Sequence, residues 1–517
     1  MLRLVFALAI PVFPALAAGL GVIGPAWVRR HVAAITSQAM ALSWGCAVLT
    51  LLATLRLGRL EVTLLTWHHI PLGGVMVDQL SAVMVVFVTT ISAIIHHYAR
   101  RALQGEPRQV PFFVPLSAVT VAVLGVILAN SLVLLCVCWA LKGGLLSLLI
   151  GYAPERQAAR LAARHKMAID LIGDTAFILA LVEAWPLFGT LQISAINTLA
   201  PRVLTQQHLG TATIVTLLLL VAVLAKSAQL PFSSWLPASL EAPTPVSALM
   251  HAGLVNAGGF LIVRLSPLFH LTPVTSGVAV LMGTLTALYG TSVMLTRSDV
   301  KNELAYSTMG QMGFMIVECG LGAYAVAIVH LIAHGLFKAT LFLGSGDALG
   351  HPRLTATVGS TPHVGGRLRR AWVIQVGGLV LVGICIMALH GTLGSLLVLF
   401  AWLTGSSALV LLHDTGRATR VVLSAGIILA TGGYVGILQG SERFFAPVVG
   451  APAPASPLSV VLAVTVLGGL TSVTALAQSE RRPAWLTKAQ DTLYVFALQR
   501  GYLAGWPPSL TRRRRAW

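Results

Sequence analysis

Apolar runs of about 18 or more residues recur along the whole chain, separated by short polar or charged stretches. A run of that length crosses the hydrocarbon core of a bilayer as a helix, whereas a membrane β-strand needs only about ten residues. Because lipid offers the backbone no hydrogen-bond partners, a spanning segment must be a helix or part of a closed barrel, and runs this long exclude the barrel. The pattern predicts an all-α polytopic membrane protein with about 14 to 15 transmembrane helices.

Composition agrees with this interpretation, since 56% of the residues are hydrophobic, only 10% are charged, and the mean hydropathy is +0.85. The first run is interpreted as a retained helix, because no clear small-residue cleavage site precedes a soluble domain. The predicted helices lie near residues 3 to 24, 38 to 57, 76 to 98, 111 to 129, 131 to 152, 167 to 188, 211 to 227, 244 to 266, 276 to 296, 300 to 320, 322 to 346, 371 to 389, 392 to 413, 419 to 439 and 456 to 477.

The formal net charge of +18 is distributed unevenly between the two sides of the predicted bundle. Most loop arginines and lysines fall on one side, which the positive-inside rule assigns to the cytoplasm. This predicts a multi-pass membrane protein with its amino terminus outside and its carboxyl terminus in the cytoplasm. Residues 481–517 are predicted to form an interfacial helix and a basic tail that contacts lipid headgroups or a protein. Nucleic acid is set aside as a partner, because topology already accounts for the charge.

A lysine closes one of the apolar runs, in the stretch KSAQLPFSSWLPASLEAPTPVSALMH that begins at Lys226. Pro231 follows shortly and predicts a broken helix, which a membrane tolerates only where the freed backbone faces protein or water. An ionisable group at membrane depth is a functional-site hypothesis by default. We therefore predict that Lys226 is a proton-relay group, the alternative being a lysine that extends to the interface.

A second group of ionisable residues lies in HLIAHGLFKATLFLGSG, where His330, His334 and Lys338 recur every four residues and form one stripe on a helix. Two histidines at this spacing can bind a metal, but no acidic or sulfur ligand accompanies them and the nearby ammonium would oppose a cation. A proton relay fits better, because histidine exchanges protons near neutral pH. Structural hydrogen bonding is the alternative. His251 could carry protons between Lys226 and this stripe.

Three acids stand at or near the start of predicted helices. Asp170 and Asp174 lie four residues apart in MAIDLIGDTAFILA and are both candidate relay residues. Asp78 begins the third predicted helix, where it could simply stabilise the helix amino terminus. The five cysteines show no metal-ligand spacing and are interpreted as buried small side chains. We expect no metal and no cofactor in this chain.

Three motifs now stand in one order along the chain, KSAQLPFSSWLPASLEAPTPVSALMHAG, SDVKNELAYSTMGQMGFM and HLIAHGLFKATLFLGSG. They resemble the proton-conducting antiporter-like subunits of complex I, of Mrp-type cation/proton antiporters and of membrane hydrogenases, over roughly residues 76 to 350. The resemblance implies two inverted five-helix repeats, each with a broken helix. The expected segments are amino-terminal helices at 1–110, the two repeats at 111–266 and 267–440, a last transmembrane helix at 441–480, and the cytoplasmic segment at 481–517.

The resemblance also implies roles for individual residues. Lys226 occupies the position of the family's relay lysine, and His251 matches the family histidine of the eighth helix. The stripe of His330, His334 and Lys338 matches the central polar residues of the family. Lys301, in the second motif, is added as a candidate relay residue.

The sequence departs from the family pattern in CWALKGGLLSLLIGY, where Ala140 stands at the position of a glutamate that normally pairs with the relay lysine. Lys142 follows two residues later. The usual ion pair cannot form, so Asp174 or Asp170 is the expected counter-charge of Lys226. The family's exit-side lysine or glutamate after residue 380 and the long carboxyl-terminal lateral helix are also missing. These departures fit a divergent branch, the DabB-type subunits of inorganic-carbon accumulation complexes.

That branch implies an energy-coupling subunit of the bacterial inner membrane that has no catalytic residues of its own. In it, cation flow drives one-way CO2 hydration by a second protein. The implied partner is a cytoplasmic DabA-type protein that resembles a zinc β-carbonic anhydrase, so zinc is expected in the partner chain. The alternatives are a redox-driven pump module of complex I or a hydrogenase, and an Mrp-type sodium/proton antiporter subunit. The coupling ion is therefore expected to be a proton or sodium.

Overall fold

The structure is a computed structural model that describes residues 2–67, 70–203, 208–294, 296–347, 433 and 436–450. Two strands, β1 (Leu60–Trp67) and β2 (Ile70–Val77), form a hairpin. The helices are α1 (Leu2–Ile23), α2 (Ala26–Arg30), α3 (Val32–Leu57), α4 (Gln79–Ala102), α5 (Val110–Leu128), α6 (Leu132–Ile150), α7 (Gln157–Phe188), α8 (Ile193–Val203), α9 (Leu209–Lys226), α10 (Trp235–Ala238), α11 (Thr244–Leu249), α12 (Ala257–Arg264), α13 (Ser266–His270), α14 (Pro273–Met294), α15 (Val300–Gly320) and α16 (Tyr324–Asp347). A 3₁₀ turn covers Ser239–Glu241, a π-helical segment covers Met250–Leu254, and residues 436–449 are helical.

Nine helical segments in the described part of the chain are long and apolar enough to cross a membrane. Large apolar side chains on their outer faces are exposed, for example Ile23 at 85% and Leu148 at 59%. Such a surface suits lipid. The interior of the bundle is close-packed, so the apolar side chains on the outside can be covered only by the membrane. The predicted all-α polytopic fold is confirmed for these ranges.

Each of the predicted helices between residues 3 and 346 has a counterpart in the structure, but some boundaries differ. The sixth predicted helix begins ten residues earlier, at Gln157, because QAARLAARHK consists largely of strong helix formers and continues α7 instead of forming a loop. The amphipathic helix α8 was not predicted. The predicted helices at 371 to 389, 392 to 413 and 456 to 477 and the interfacial helix after 480 lie outside the described residues. Of the predicted helix at 419 to 439, only residues 433 and 436–439 are described, and they are helical. The division of the chain at 110, 266, 440 and 480 stays a prediction.

The hairpin of β1 and β2 is an addition to the predicted all-α fold. Its strands pair antiparallel from Leu60 opposite Val77 to Trp67 opposite Ile70. The β-branched and apolar residues of LEVTLLTW suit a pleated strand, yet the run is too short to register as a membrane span. The Glu61 carboxylate accepts hydrogen bonds from Gln192 Nε2 and Ser194 Oγ, both at 2.7 Å. These bonds attach the hairpin to the start of α8.

The predicted break after Lys226 is confirmed, because α9 ends at that residue and the chain becomes irregular until α10. Ala228 takes a positive φ of 51° there. A second interruption follows between α11 and α12, at the π-helical segment and Val255. Freed backbone groups in the two interruptions find protein partners, among them the Val255 carbonyl, which accepts from Ser227 Oγ at 2.7 Å. The two interruptions therefore contact each other inside the bundle.

Asp78 caps helix α4, as the sequence suggested, and also forms an ion pair that the sequence did not suggest. Its Oδ1 caps α4 by accepting from the Ser81 amide at 2.8 Å, as expected for a helix amino terminus. Its Oδ2 also accepts from Arg264 Nη1 at 2.6 Å, and Arg264 Nη2 donates to Ser81 Oγ at 2.5 Å. Asp78 and Arg264 are both buried. The pair joins the start of α4 to the end of α12.

Asp78→Ala is expected to lower the free energy of unfolding by about 3 to 5 kcal/mol, because it leaves the buried Arg264 guanidinium without a carboxylate. Asp299→Ala is the matched control, since the Asp299 side chain caps α15 by accepting from the Asn302 amide and is exposed. The control should cost about 1 kcal/mol, the typical value of a cap alone. Thermal unfolding in detergent measures both, and equal losses would contradict the role of Arg264.

Candidate functional site

Lys226 lies at the last position of α9 with its side chain buried. Its Nζ is 2.9 Å from Asp174 Oδ1 and 3.0 Å from Asp170 Oδ1, both on α7. The structure thus places both candidate counter-charges within ion-pair distance of Lys226. Because both carboxylates lie on one face of α7 at a four-residue spacing, a single ammonium reaches both.

Lys166 is a member of the same cluster that the sequence analysis missed. It is one helical turn before Asp170 and forms a buried ion pair with Asp170 Oδ2. Its Nζ also lies 4.6 Å from the centroid of the Trp235 ring. The residue was assigned to a basic loop because the predicted helix began at 167. The Lys-x-x-x-Asp spacing in KMAID was the signal that could have identified it.

Helix α6 contributes backbone and one more amine to the cluster. A Cβ at Gly143 would lie 2.4 Å from Lys226 Nζ and 2.6 Å from Asp170 Oδ2, so only glycine fits against the ion pair. Lys142 is buried beside it, donates to the Leu254 carbonyl at 3.3 Å and lies 4.6 Å from the Trp139 ring centroid. The carboxylates that pair with Lys226 thus come from α7, while α6 offers Ala140 and a base.

The cluster holds three amines and two carboxylates, namely Lys142, Lys166, Lys226, Asp170 and Asp174, and all of them are buried except Asp174, whose side chain is 17% exposed. Among the described residues no group of three or more histidine, cysteine or acidic side chains could hold a metal ion. Because the cluster has more amines than carboxylates, it repels an added metal cation. The same composition favours exchange of protons between the lysine nitrogens and the carboxylate oxygens.

A second cluster surrounds the predicted histidine stripe on α16. His330 Nδ1 is 3.0 Å from both carboxylate oxygens of Glu318, and its Nε2 is 3.1 Å from Gln311 Oε1. Glu318 and Gln311 belong to α15 and were not predicted as site residues. The signal for Glu318 is an acid inside the apolar run GFMIVECG, which membrane burial makes costly unless it is paired.

His334 and His251 are buried, and neither ring nitrogen of either residue has a hydrogen-bond partner in the described protein. The His251 ring stacks on Phe342 of α16, with centroids 4.3 Å apart. The rings of His330 and His334 are 6.2 Å apart between centroids. The structure therefore places His251 against the helix that carries the stripe, a proximity that the sequence left open. Whether these residues relay protons stays a prediction.

The two remaining candidate lysines differ in their surroundings. Lys338 is buried and donates to the Leu304 carbonyl at 3.3 Å. Lys301, near the start of α15, is partly buried and lies 3.4 Å from Thr244 Oγ1 at the start of α11. Lys301 forms no ion pair among the described residues, so the structure does not join it to either cluster.

Comparison with known proteins gives two family matches. Residues 129–419 match the family described as NADH:quinone oxidoreductase/Mrp antiporter, TM, and residues 69–113 match NADH-Ubiquinone oxidoreductase (complex I), chain 5 N-terminus. The probable inorganic carbon transporter subunit DabB1 of Halothiobacillus neapolitanus is 36% identical over 412 residues, covering 74% of this chain and 73% of the relative. NADH-quinone oxidoreductase subunit L of Rhodobacter capsulatus is 36% identical over 290 residues, covering 53% of this chain but only 41% of that relative.

Solved structures with the same fold include the Mrp complex from Dietzia sp. DQ12-45-1b, with a TM-score of 0.60 and 24% identity over 97% of this chain and 57% of that chain. The archaeal membrane-bound sulfane sulfur reductase has a TM-score of 0.59 and 17% identity over 96% and 97% of the two chains. At these identities the likeness establishes the fold alone.

Asp170→Asn is expected to destabilise the protein more than Asp174→Asn, because Asp170 contacts two buried ammonium groups and Asp174 only one. We expect a loss of about 3 to 5 kcal/mol for Asp170→Asn and less for Asp174→Asn. Glu183→Gln, an exposed acid on the same helix, is the control and should change stability by about 0.5 kcal/mol at most. Thermal unfolding in detergent is the measurement, and a larger loss in Asp174→Asn would refute the assignment of Asp170 as the shared partner.

Proposed function

Because the chain belongs to the NADH:quinone oxidoreductase/Mrp antiporter family of multi-pass, proton-conducting membrane subunits, we propose that its proton flow drives inorganic-carbon accumulation. The observation that carries this choice is coverage. The match to DabB1 extends over 73% of that relative, whereas the match to subunit L spans only 41% of it. The alignment with DabB1 therefore spans more of both proteins than the alignment with subunit L does. The alternative functions that the tests below distinguish are a respiratory pump module and an Mrp-type antiporter.

The buried cluster at Lys226 supports a proton as the coupling ion. A sodium ion needs several oxygen ligands, and here the two carboxylates already face amines. A proton needs only a lone pair, which an amine or imidazole supplies. In this proposal Lys226 exchanges its proton against the Asp170 and Asp174 carboxylates, and the histidine stripe with Lys338 carries the proton onward.

CO2 hydration is assigned to a second chain, a cytoplasmic DabA-like protein that resembles a zinc β-carbonic anhydrase. This chain supplies the proton path and the membrane anchor, and zinc resides in the partner. The net charge of +18 supports docking, because a basic face attracts an acidic soluble protein at low salt. We place that face in the cytoplasm of a bacterium, with the amino terminus outside.

Lys226→Met is expected to abolish proton conduction, because methionine fills similar volume and removes the exchangeable proton, and to lower the unfolding temperature, because Asp174 is left without its ammonium partner. The assay is proton uptake into vesicles that hold the purified complex, and we expect a fall of about 100-fold or more. Arg160→Met, a change at an exposed arginine at the start of α7, is the control and should conduct at the wild-type rate. Full conduction by Lys226→Met would remove Lys226 from the path.

Purification of a tagged chain from gentle detergent is expected to recover a large zinc-containing soluble protein, detected by mass spectrometry and metal analysis. Raising the salt concentration should weaken the association, because the contact is electrostatic. Recovery of iron–sulfur and flavin subunits instead would support the respiratory alternative. Several small membrane subunits would support the Mrp-type alternative.

A further inference from the structure

Lys142 is the one member of the buried cluster whose role is not accounted for by an ion pair. Its side chain is 2% exposed, and among the described residues no carboxylate forms an ion pair with it. Its contacts are the Leu254 carbonyl, at 3.3 Å, and the face of the Trp139 ring. A carbonyl and an aromatic face stabilise an ammonium less than a carboxylate does.

The charges around Lys142 do not balance. Lys166 and Lys226 are already neutralised by Asp170 and Asp174, and all four groups act electrostatically on Lys142. A third ammonium would leave one uncompensated positive charge in a buried site, which is costly. The charges of the cluster therefore balance when one of its three amines is neutral. The proton on Lys142 is the one that can be lost without breaking an ion pair.

The hydrogen bond to the Leu254 carbonyl places Lys142 beside the segment that carries His251. Leu254 ends the π-helical segment Met250–Leu254, whose i to i−5 geometry is shown by the bond from the Val255 amide to the Met250 carbonyl at 3.1 Å. His251 lies in the same segment, and neither of its ring nitrogens has a protein partner. Isolated π-helical turns are frequent at functional sites. Lys142 thus contacts the backbone that positions His251.

We propose that Lys142 is the proton carrier between the Lys226 cluster and His251, an inference that rests on the proposed proton conduction. In the forward direction the Lys226 ammonium gives its proton to the neutral Lys142 amine and is left as a neutral amine. The Lys142 ammonium then gives the proton to a His251 ring nitrogen, which forms an imidazolium, and Lys142 returns to its neutral state. No direct hydrogen bond joins Lys142 to Lys226 or His251, so bridging water or side-chain rotation completes each transfer.

The charged form of Lys142 also holds the π-helical segment, since the hydrogen bond to the Leu254 carbonyl is stronger from an ammonium than from a neutral amine. Loss of the proton weakens that bond while His251 gains a charge. The protonation state of Lys142 is thereby linked to the geometry of the second interruption. The groups that bear on Lys142 are Lys166, Asp170 and Asp174 of α7 and Lys226 of α9, and those that bear on His251 are His334 and Lys338 of α16.

A purely structural role, in which Lys142 only fills space and donates to Leu254, predicts a different set of variants. Lys142→Gln keeps a donor for the carbonyl and removes the exchangeable proton. Lys142→Arg keeps the charge and the donors, but a guanidinium does not release its proton in proteins. Lys142→His keeps a titratable nitrogen that exchanges near neutral pH. Leu141→Met, at an exposed neighbour on α6, is the control for disturbance of the helix.

The test is proton flux against pH in vesicles that hold the intact complex, with thermal unfolding of each variant alongside. We expect both Lys142→Gln and Lys142→Arg to lose at least about tenfold in flux. Lys142→Gln should unfold near the wild-type temperature, whereas Lys142→Arg should unfold at a lower temperature, because it keeps a permanent charge in a buried site that has no spare carboxylate. Lys142→His should keep measurable flux, with its maximum at lower pH than the wild type. Wild-type flux in either Lys142→Gln or Lys142→Arg overturns the role of Lys142 and leaves the proposed function intact. Absence of proton flux in the wild type overturns both.

Discussion

A lysine ammonium buried between membrane-spanning helices is the constraint on which the described bundle depends. Unpaired, Lys226 would cost several kcal/mol, so α7 must bring Asp170 and Asp174 within about 3 Å. That approach needs small residues where the helices meet. A Cβ at Gly173 of α7 would lie 2.8 Å from the Ala225 Cβ of α9, and a Cβ at Gly143 of α6 would meet the ion pair itself. The packing of three helices is set by the neutralisation of one charge.

A helix interruption directly follows this charge. Pro231 cannot continue the helix, because it lacks an amide donor and its ring clashes with the carbonyl four residues earlier. Helix α9 therefore ends, and its freed groups are satisfied inside the protein: the Ala225 carbonyl accepts from Trp235 Nε1 at 3.0 Å, and the Gln229 amide donates to the Leu224 carbonyl at 2.9 Å. Irregular backbone at membrane depth is stable only under this condition. The bond from Ser227 to the Val255 carbonyl then ties the first interruption to the second.

Sequence reasoning reached Lys226, its carboxylates and the histidine stripe because each leaves a local signal, an ionisable residue in an apolar run or a four-residue spacing on a helix. It missed Lys166 because the start of α7 was placed at residue 167, and a lysine one position outside a predicted span looks like a loop residue. It missed the pairing of Glu318 with His330 because that contact joins two helices. It noted Asp78 as a helix cap, but the partner Arg264 lies 186 residues away. Contacts between distant elements depend on how the helices pack, which periodicity alone does not specify.

The polar contacts also separate the histidines that the sequence left as one group. His330 has a protein partner on each ring nitrogen, from Glu318 and Gln311, so its ring is fixed in orientation. His334 and His251 are equally inside the bundle, and the described protein offers their nitrogens nothing. Because a buried unsatisfied nitrogen is costly, water is the partner that can satisfy them, and water is also what a proton relay requires. A structural role thus suits His330 best, and a role in proton relay suits His334 and His251. His251 lies in the interruption that Lys142 contacts.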